Sequence, residues 1–253
     1  MDLTKSEEFF GWFTASITIF FHLTKVSPSI KLILGKMNFK DIPTMYITSL
    51  YYNNLIWYIY GKTIFNYHIK IGFFASGALC LFSILIYLIY EIREYIFDVI
   101  LNVIIVSMSS WGIYRYLTIV IDDDFFIGKI GICTSIAFYI CSTYLLYSAL
   151  KDKKFDLYKI INIFFYLIIS FCWVVYAIIT TDFYLSITFI CGILISIMQS
   201  SLYFNLKKRY SLNDIRDVSN TVISIENNVS EANKSVEQIL KNDENVANNV
   251  KII

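Results

Sequence analysis

Residues 34–60 read LGKMNFKDIPTMYITSLYYNNLIWYIY, and residues 150–176 read LKDKKFDLYKIINIFFYLIISFCWVVY. A shift of 116 residues lays the second stretch over the first without a gap. Among the identities that result, four pair Leu34, Phe39, Trp57 and Tyr60 with Leu150, Phe155, Trp173 and Tyr176. Two of the four tryptophans of the chain take part in this match. We interpret the two stretches as copies of one structural repeat.

The composition around these stretches is that of a membrane protein. The chain has 253 residues, of which 57% are hydrophobic and 16% charged, and its mean hydropathy is +0.60. Soluble domains carry about 25% charged residues, so a water-soluble globule is excluded. The net charge of +1 gives no basic patch for nucleic acid. Five cysteines in apolar runs, with no CxxC pair and only two histidines, predict neither a metal site nor a cofactor.

Seven apolar blocks are long enough to cross a bilayer, which takes about 20 residues in a helix. They are Phe9–Leu34, Ile42–Gly61, Ile71–Tyr90, Val99–Ile121, Ile130–Leu150, Ile160–Thr181 and Phe183–Phe204. The two copies of the repeat are four blocks apart, so both enter the membrane in the same direction. The sequence therefore predicts an all-α membrane protein in which two parallel triple-helix bundles, residues 9–94 and 127–210, are joined by a connector helix within 95–126.

Lysine and arginine in the short loops predict the orientation of these helices. Four basic residues lie on the side of the N-terminus: Lys5, Lys62, Lys70 and Lys129. Nine lie on the other side: Lys36, Lys40, Arg93, Lys151, Lys153, Lys154, Lys207, Lys208 and Arg209. We expect an integral multi-pass protein of the plasma membrane or an endomembrane, with its N-terminus outside or lumenal and its C-terminus in the cytosol.

The C-terminal segment, residues 211–253, has a different character. It carries seven acidic and four basic residues, and apolar residues recur with alternating spacings of three and four: Ile215, Val218, Val222, Ile225, Val229, Ala232, Val236 and Ile239. This spacing is typical of a coiled-coil seam. A membrane-surface helix normally has a basic polar face, which this acidic segment lacks. We expect a cytosolic coiled coil and a homo-oligomer formed through it or through the bundles.

An ordered set of residues over positions 9–206 resembles the SWEET sugar transporters within the wider PQ-loop group. In the first half the set is Ser27-Pro28-Ser29, Asn53, Trp57, Tyr60-Gly61 and Ser76-Gly77. In the second half it is Tyr139, Ser142, Trp173, Tyr176, Asp182, Gly192, Gln199 and Tyr203-Phe204. The resemblance implies a facilitator that moves a neutral mono- or disaccharide by alternating access, with Pro28 helping its helix to hinge. The paired asparagines of the family fall on Ser76 and Phe189 in this chain.

The candidate substrate-binding residues are Trp57, Trp173, Asn53, Ser76, Phe189 and Gln199. An indole face packs against the C–H face of a sugar, and its N–H can donate a hydrogen bond. The two tryptophans, as repeat mates, would sandwich the substrate, while the amides and the hydroxyl would bind its hydroxyl groups. No catalytic motif of the HExxH, GxSxG or Walker type occurs, so we do not expect an enzyme.

Two further interpretations remain open. Lys25 and His22 share a face of the first span, and charged residues inside spans are functional candidates by default; the long lysine is expected to snorkel to the interface. If His22 carries protons, the chain is a proton-coupled PQ-loop exporter of amino acids or another organellar solute. If the coiled coil assembles partner proteins, the chain is a receptor or scaffold that does not transport.

Overall fold

The computed structural model describes residues 3–35, 44–91, 96–121, 123–151 and 157–210. These ranges contain seven helices: Leu3–Ile33 (α1), Thr44–Thr63 (α2), Tyr67–Glu91 (α3), Ile96–Arg115 (α4), Asp124–Lys151 (α5), Leu157–Ile179 (α6) and Phe183–Tyr210 (α7). A π-helical segment, Tyr116–Ile121, continues α4. The described ranges contain no β-strand, so the all-helical prediction is confirmed. The expected coiled coil, residues 211–253, lies outside them.

Four of the described helices are long and apolar enough to cross a membrane. They cover Tyr67–Ile89, Asp124–Lys151, Ile160–Ile179 and Phe183–Tyr210, which overlap the third, fifth, sixth and seventh predicted spans with shifted ends. Helix α1 is long enough but carries His22, Lys25 and Lys31 among its apolar residues. Such helices are stable in lipid because they satisfy the hydrogen bonds of their own backbone. The protein is an integral membrane protein.

Two tight turns of the same geometry join α2 to α3 and α6 to α7. Each turn places a residue in the left-handed region, Phe65 at φ 58° and Thr181 at φ 55°, and these two residues are 116 positions apart. The same backbone hydrogen bond closes each turn, from Asn66 N to the carbonyl five residues earlier at 2.9 Å and from Asp182 N at 2.8 Å. This bond is the six-to-one bond of a Schellman motif.

The residue after each left-handed position then begins the next helix. Asn66 Oδ1 accepts a hydrogen bond from Ile69 N at 3.1 Å, and Asp182 Oδ1 accepts one from Leu185 N at 2.9 Å. Each side chain is thus an N-cap that satisfies one of the unpaired N–H groups of a helix start. The repeat seen in the sequence therefore recurs in the local structure of both turns.

Glycines let the first helix of each half approach the third closely. A Cβ atom added at Gly11 would lie 2.5 Å from the His68 ring, and one added at Gly128 would lie 2.5 Å from the Tyr184 ring. The first contact joins α1 to α3, and the second joins α5 to α7. Across the halves, α2 packs on α5 and α1 packs on α6. A buried hydrophobic cluster draws residues from these four helices and from α3 and α7.

Candidate functional site

Four aromatic rings occupy the centre of the helix crossing. They are Trp57 of α2, Phe73 of α3, Trp173 of α6 and Phe189 of α7, and both tryptophans are fully buried. The Phe73 ring lies 6.0 Å from that of Trp57 and 5.1 Å from that of Trp173, while the Phe189 ring lies 6.3 Å and 5.6 Å from the same two rings. The two phenylalanines therefore fill the space between the indoles in this conformation.

Each indole N–H donates a hydrogen bond to the opposite half of the molecule. Trp57 Nε1 donates to Ser135 Oγ of α5 at 2.9 Å, and Trp173 Nε1 donates to Thr18 Oγ1 of α1 at 2.9 Å. Ser135 in turn donates to Asn53 Oδ1 at 2.8 Å. The second helix of each half is thus hydrogen-bonded to the first helix of the other half.

A small cavity of about 40 Å³ adjoins the aromatic cluster. Its polar lining consists of Thr18, His22, Asn53, Asn54, Ser135 and Ser170. Its apolar and aromatic lining consists of Phe21, Leu50, Phe73, Phe138, Tyr139, Tyr166, Ile169, Trp173 and Phe189. A cavity of this size holds a few water molecules, whereas ligand pockets usually measure about 300–1,000 Å³. The structure is therefore a closed conformation.

Two hydrogen bonds fix the tautomer of His22 in the cavity wall. His22 Nδ1 lies 2.8 Å from the carbonyl oxygen of Thr18, which can only accept, so Nδ1 carries the proton. Nε2 lies 3.2 Å from Asn54 Nδ2, which can only donate, so Nε2 is the acceptor. The imidazole is accordingly neutral in this conformation, and it orients the Asn54 amide beside the cavity.

The ammonium group of Lys25 lies among aromatic rings one turn beyond His22. Its Nζ is 4.5 Å from the ring centre of Phe21, 5.3 Å from that of Tyr166 and 5.6 Å from that of Tyr46. These distances are within the range of cation–π attraction, about 6 Å. Tyr46 belongs to α2 and Tyr166 to α6, so the side chain is directed into the seam between the two halves.

At the end of the molecule that carries the two tight turns, four residues join the halves; we call them the turn-end closure. The Tyr60 hydroxyl donates to the Asp182 carboxylate, 3.0 Å from Oδ1 and 3.1 Å from Oδ2. The Tyr176 hydroxyl bonds to the Asn66 side chain, 2.9 Å from Nδ2 and 3.1 Å from Oδ1. Tyr60 and Tyr176 are repeat mates, as are Asn66 and Asp182, so one contact is made twice.

The turn-end closure contains one ionisable carboxyl group. Burial raises the pKa of Asp182 above its ordinary value, although hydrogen bonds from Leu185 N, the Tyr60 hydroxyl and Tyr184 N act in the opposite direction. The repeat mate of this residue, Asn66, has the same shape and no charge. The two copies of the contact therefore differ in their response to pH.

Towards the other end of α2, a second pair joins the halves. The hydroxyl groups of Tyr46 and Tyr166 lie 2.6 Å apart, and Tyr46 follows the start of α2 by two residues. We call this pair the opposite closure. Tyr166 of this pair also lines the cavity.

The structure places the residues expected to bind substrate at different distances from the cavity. Trp173, Asn53 and Phe189 line it, and Trp57 lies one ring away. Ser76 is buried, and its hydroxyl has no hydrogen-bond partner among the described residues. Gln199 Nε2 instead donates to Thr143 Oγ1 at 2.9 Å and to Ser142 Oγ at 3.3 Å, so this amide joins α7 to α5.

Sequence reasoning missed three residues of this site: Phe73, Ser135 and Thr18. A signal existed for Phe73, because the shift of 116 residues that pairs the tryptophans also pairs Phe73 with Phe189. Ser135 and Thr18 are 117 positions apart, one more than the shift that relates α2 to α6. The stretch that leads from the first helix to the second is therefore one residue longer in the first copy of the repeat, which concealed this pair from the ungapped comparison.

Comparison with known proteins finds a family model and a solved structure that resemble this chain. Residues 125–211 match a family model described as "Sugar efflux transporter for intercellular exchange". The solved structure of a eukaryotic SWEET transporter superposes with a TM-score of 0.65 at 16% sequence identity, over 80% of this chain and 99% of that one. The resemblance to the SWEET family is confirmed. No curated protein sequence matches the chain. The SWEET family and this structural neighbour are transporters and not enzymes.

Proposed function

We propose that this SWEET-like protein is a facilitative transporter that moves a neutral sugar across a membrane by alternating access. The match of residues 125–211 to a sugar efflux model and the SWEET fold support the solute class. The central cavity carries the proposal, because the rings of Trp173 and Phe189 line it together with the amides of Asn53 and Asn54. Ring faces and neutral amides together suit a polyol.

The moving parts would be the two triple-helix bundles, residues 9–94 and 127–210, with the connector within 95–126 allowing both to run in the same direction. Support comes from the reciprocal contacts, because a repeated contact between two halves implies an axis that relates them. Parallel repeats of this kind bind substrate near the midplane between them. Pro28 lies inside α1 and lacks an N–H, so it weakens that helix and would ease the rocking of the first bundle.

In the transport cycle, we assign opposite roles to the two closures. Breaking the Tyr60–Asp182 and Tyr176–Asn66 bonds would open the cavity to the side of the N-terminus, which the loop charges place outside. Breaking the Tyr46–Tyr166 bond would open it to the cytosol. Separation of the halves would also part the four rings and enlarge the cavity.

Within the enlarged cavity, Trp57 and Trp173 would face the sugar from the two halves. Asn53 and the partnerless hydroxyl of Ser76 would then bind the hydroxyl groups of the sugar, with Phe189 at its edge. Gln199 already bonds to two hydroxyl groups of α5, so we assign to it the role of holding α7 in place.

Uptake into proteoliposomes tests this function. We expect entry of radiolabelled glucose or sucrose down its gradient, without an imposed ion gradient. Trp173→Phe keeps a ring but removes the indole N–H that would donate to the sugar in the opened cavity, and we expect at least about a fivefold loss of uptake, since such a bond contributes roughly 1 kcal/mol. Trp111→Phe is the matched control, because Trp111 lies on an exposed face of α4. Absence of uptake for every sugar tested would overturn the proposal.

A proton-coupled exporter is the second candidate, and His22 is the residue on which it depends. Both ring nitrogens of His22 are hydrogen-bonded in the neutral form, which favours the uncoupled mechanism over this one. An imposed pH gradient distinguishes the two. Coupled transport would accumulate solute against its own gradient, and His22→Gln would abolish the accumulation while leaving downhill flux.

A receptor or scaffold is the third candidate, and it depends on the segment 211–253. We propose that this segment forms a cytosolic coiled coil that associates copies of the chain. Each protomer encloses its own cavity, so deletion of residues 211–253 should preserve sugar uptake while reducing the oligomer size measured by light scattering. Loss of all uptake on deletion would favour the scaffold.

A further inference from the structure

Lys25 brings a positive charge close to the central cavity. Its ammonium lies over the rings of Phe21 and Tyr166, at 4.5 Å and 5.3 Å, and both rings line that cavity. The third ring, Tyr46, belongs to the opposite closure. The charge is therefore located at the inner mouth of the proposed path, where a solute passes when the closure opens.

The surroundings of Lys25 keep this charge directed into the seam and away from lipid. A lysine that snorkels extends along its own helix toward the headgroups. Here the three rings come from three helices, α1, α2 and α6, and they stabilise the ammonium by cation–π attraction. The lysine therefore lies directly behind two rings that line the cavity.

No carboxylate neutralises this charge among the described side chains. The described residues contain no ion pair to Lys25, and the cavity lining has no acidic residue. His22, three positions earlier on the same face, is neutral by its hydrogen bonds. Because protein near a membrane centre has a low dielectric constant, an uncompensated charge acts on a nearby solute more strongly than in water.

We propose that Lys25 is a specificity-determining residue that selects solutes by charge: it admits neutral and anionic sugars and rejects sugars that carry an ammonium group. This inference rests on the proposed transport function and refines its substrate class. The selection does not require a hydrogen bond between Lys25 and the solute. The discrimination arises from repulsion between two cations in a site where water is scarce.

Three probes of one ring size test the proposal: radiolabelled glucose, glucosamine and glucuronate, which are neutral, cationic and anionic. Uptake is measured at about pH 6.5, below the pKa of about 7.7–8.0 typical of an α-amino group. We expect wild-type protein to transport glucosamine at least about tenfold more slowly than glucose, the factor that a repulsion of roughly 1.4 kcal/mol produces. Lys25→Met should bring the two rates within about threefold of each other and slow glucuronate relative to glucose.

Two control variants separate charge from structure. Lys25→Arg keeps the positive charge and should keep the slow uptake of glucosamine relative to glucose. If Lys25→Met acted only by disturbing the structure, Lys25→Arg would not be expected to preserve this difference. Lys129→Met removes another lysine that lies over a ring, 4.2 Å from the centre of Phe125, but on an exposed position of α5. This second variant should leave all three rates unchanged. If Lys25→Met fails to fold, Lys25→Gln provides a neutral polar replacement.

The outcomes separate the two levels of inference. Glucose uptake with the same glucosamine-to-glucose ratio in wild type and Lys25→Met would overturn the role of Lys25 and leave the transport function standing. Equal uptake of glucosamine and glucose by wild type would do the same. Absence of uptake for all three probes would overturn the transport function and, with it, this inference.

Discussion

The Tyr60 hydroxyl bridges both oxygens of the Asp182 carboxylate, 3.0 Å from Oδ1 and 3.1 Å from Oδ2. Tyr60 lies in the last turn of α2, and Asp182 caps the start of α7, so this bond joins the first half of the chain to the second. The same oxygen Oδ1 also accepts from Leu185 N at 2.9 Å. The Asp182 carboxylate thus caps the start of α7 and also accepts a hydrogen bond from α2 of the opposite half.

Removal of the Tyr60 hydroxyl should favour opening at the turn end. A hydrogen bond to a charged group contributes about 1.5–3 kcal/mol, so Tyr60→Phe should raise the population of the open form by about tenfold or more. Trp57 and Trp173 report the opening, because both are fully buried in the closed form. With Trp12 and Trp111 replaced by Phe, quenching of the two remaining tryptophans by external iodide measures access from outside.

The matched control for this measurement is Tyr58→Phe. Tyr58 precedes Tyr60 by two positions, and its ring packs against Phe74 at a centroid distance of 5.4 Å. This substitution removes a hydroxyl from the same helix without touching the turn-end closure. Equal quenching in Tyr60→Phe and Tyr58→Phe would show that the Tyr60–Asp182 bond does not hold this end closed.

Asp182→Asn should make the protein more stable at neutral pH. Asn66 already performs the same capping and closing roles in the first half, so an amide fits this position. Because burial raises the pKa of Asp182 in the folded state, the folded protein binds more protons than the unfolded chain between the ordinary and the raised pKa. The stability contributed by this group is full below the ordinary pKa and falls as pH rises through the raised one.

Thermal unfolding in detergent across a pH series checks the effect of this substitution. The gain of Asp182→Asn over wild type should be largest at neutral pH and should disappear in acid, where the aspartate is protonated. Asn66→Asp, the reverse exchange at the repeat mate, should destabilise the protein at neutral pH. A gain for Asp182→Asn that is the same at every pH would contradict the explanation.

Gly128→Ala should disturb the packing of α5 against α7. The added Cβ would lie 2.5 Å from Cγ of the Tyr184 ring, so the backbone or the whole ring must shift. Overpacking of this kind costs about 1–3 kcal/mol, and the melting temperature should fall accordingly. Gly112→Ala is the control, because a Cβ added there meets no atom within 4 Å. A fall of equal size in both variants would contradict the role of the Tyr184 contact, because the backbone effect of Gly→Ala in a helix is stabilising.

Thr181→Gly should stabilise the turn between α6 and α7. Thr181 has φ 55°, a region that is costly for a β-branched residue and open to glycine. Relief of this cost, about 1–2 kcal/mol, exceeds the entropy that glycine loses, so a net gain of about 0.5–1 kcal/mol is expected. Thr180→Gly, one residue earlier and hydrogen-bonded to the Tyr176 carbonyl, should instead lower the melting temperature. Destabilisation by Thr181→Gly would contradict this account.

The sequence was sufficient for the helical class, for most helix positions and for the repeat. Trp57 and Trp173 made the repeat detectable, because tryptophan is rare and its recurrence at a fixed spacing is therefore informative. The spacing also predicted the equivalence of Tyr60 and Tyr176, which the structure shows as two bonds of one type. These features are periodic or local, and a linear sequence records them directly.

The site was harder to predict because its contacts depend on how side chains from distant helices meet. Lys25 was expected to extend toward the membrane surface, but the rings of Tyr46 and Tyr166, 21 and 141 positions later, hold it in the seam. The expected sandwich between Trp57 and Trp173 is filled by Phe73 and Phe189 in this conformation. A sequence does not state which conformation of a moving protein is closed.

The four packed rings at the centre also bear on the electrical behaviour of the membrane that houses the protein. Trp57, Phe73, Trp173 and Phe189 pack against one another in the closed form, with ring centres 5.1–6.3 Å apart. Small ions and protons cross lipid only along hydrated routes, since bare charge in hydrocarbon is costly. We therefore expect this closed form to conduct no ions, so that a cell could hold many copies without discharging its membrane voltage.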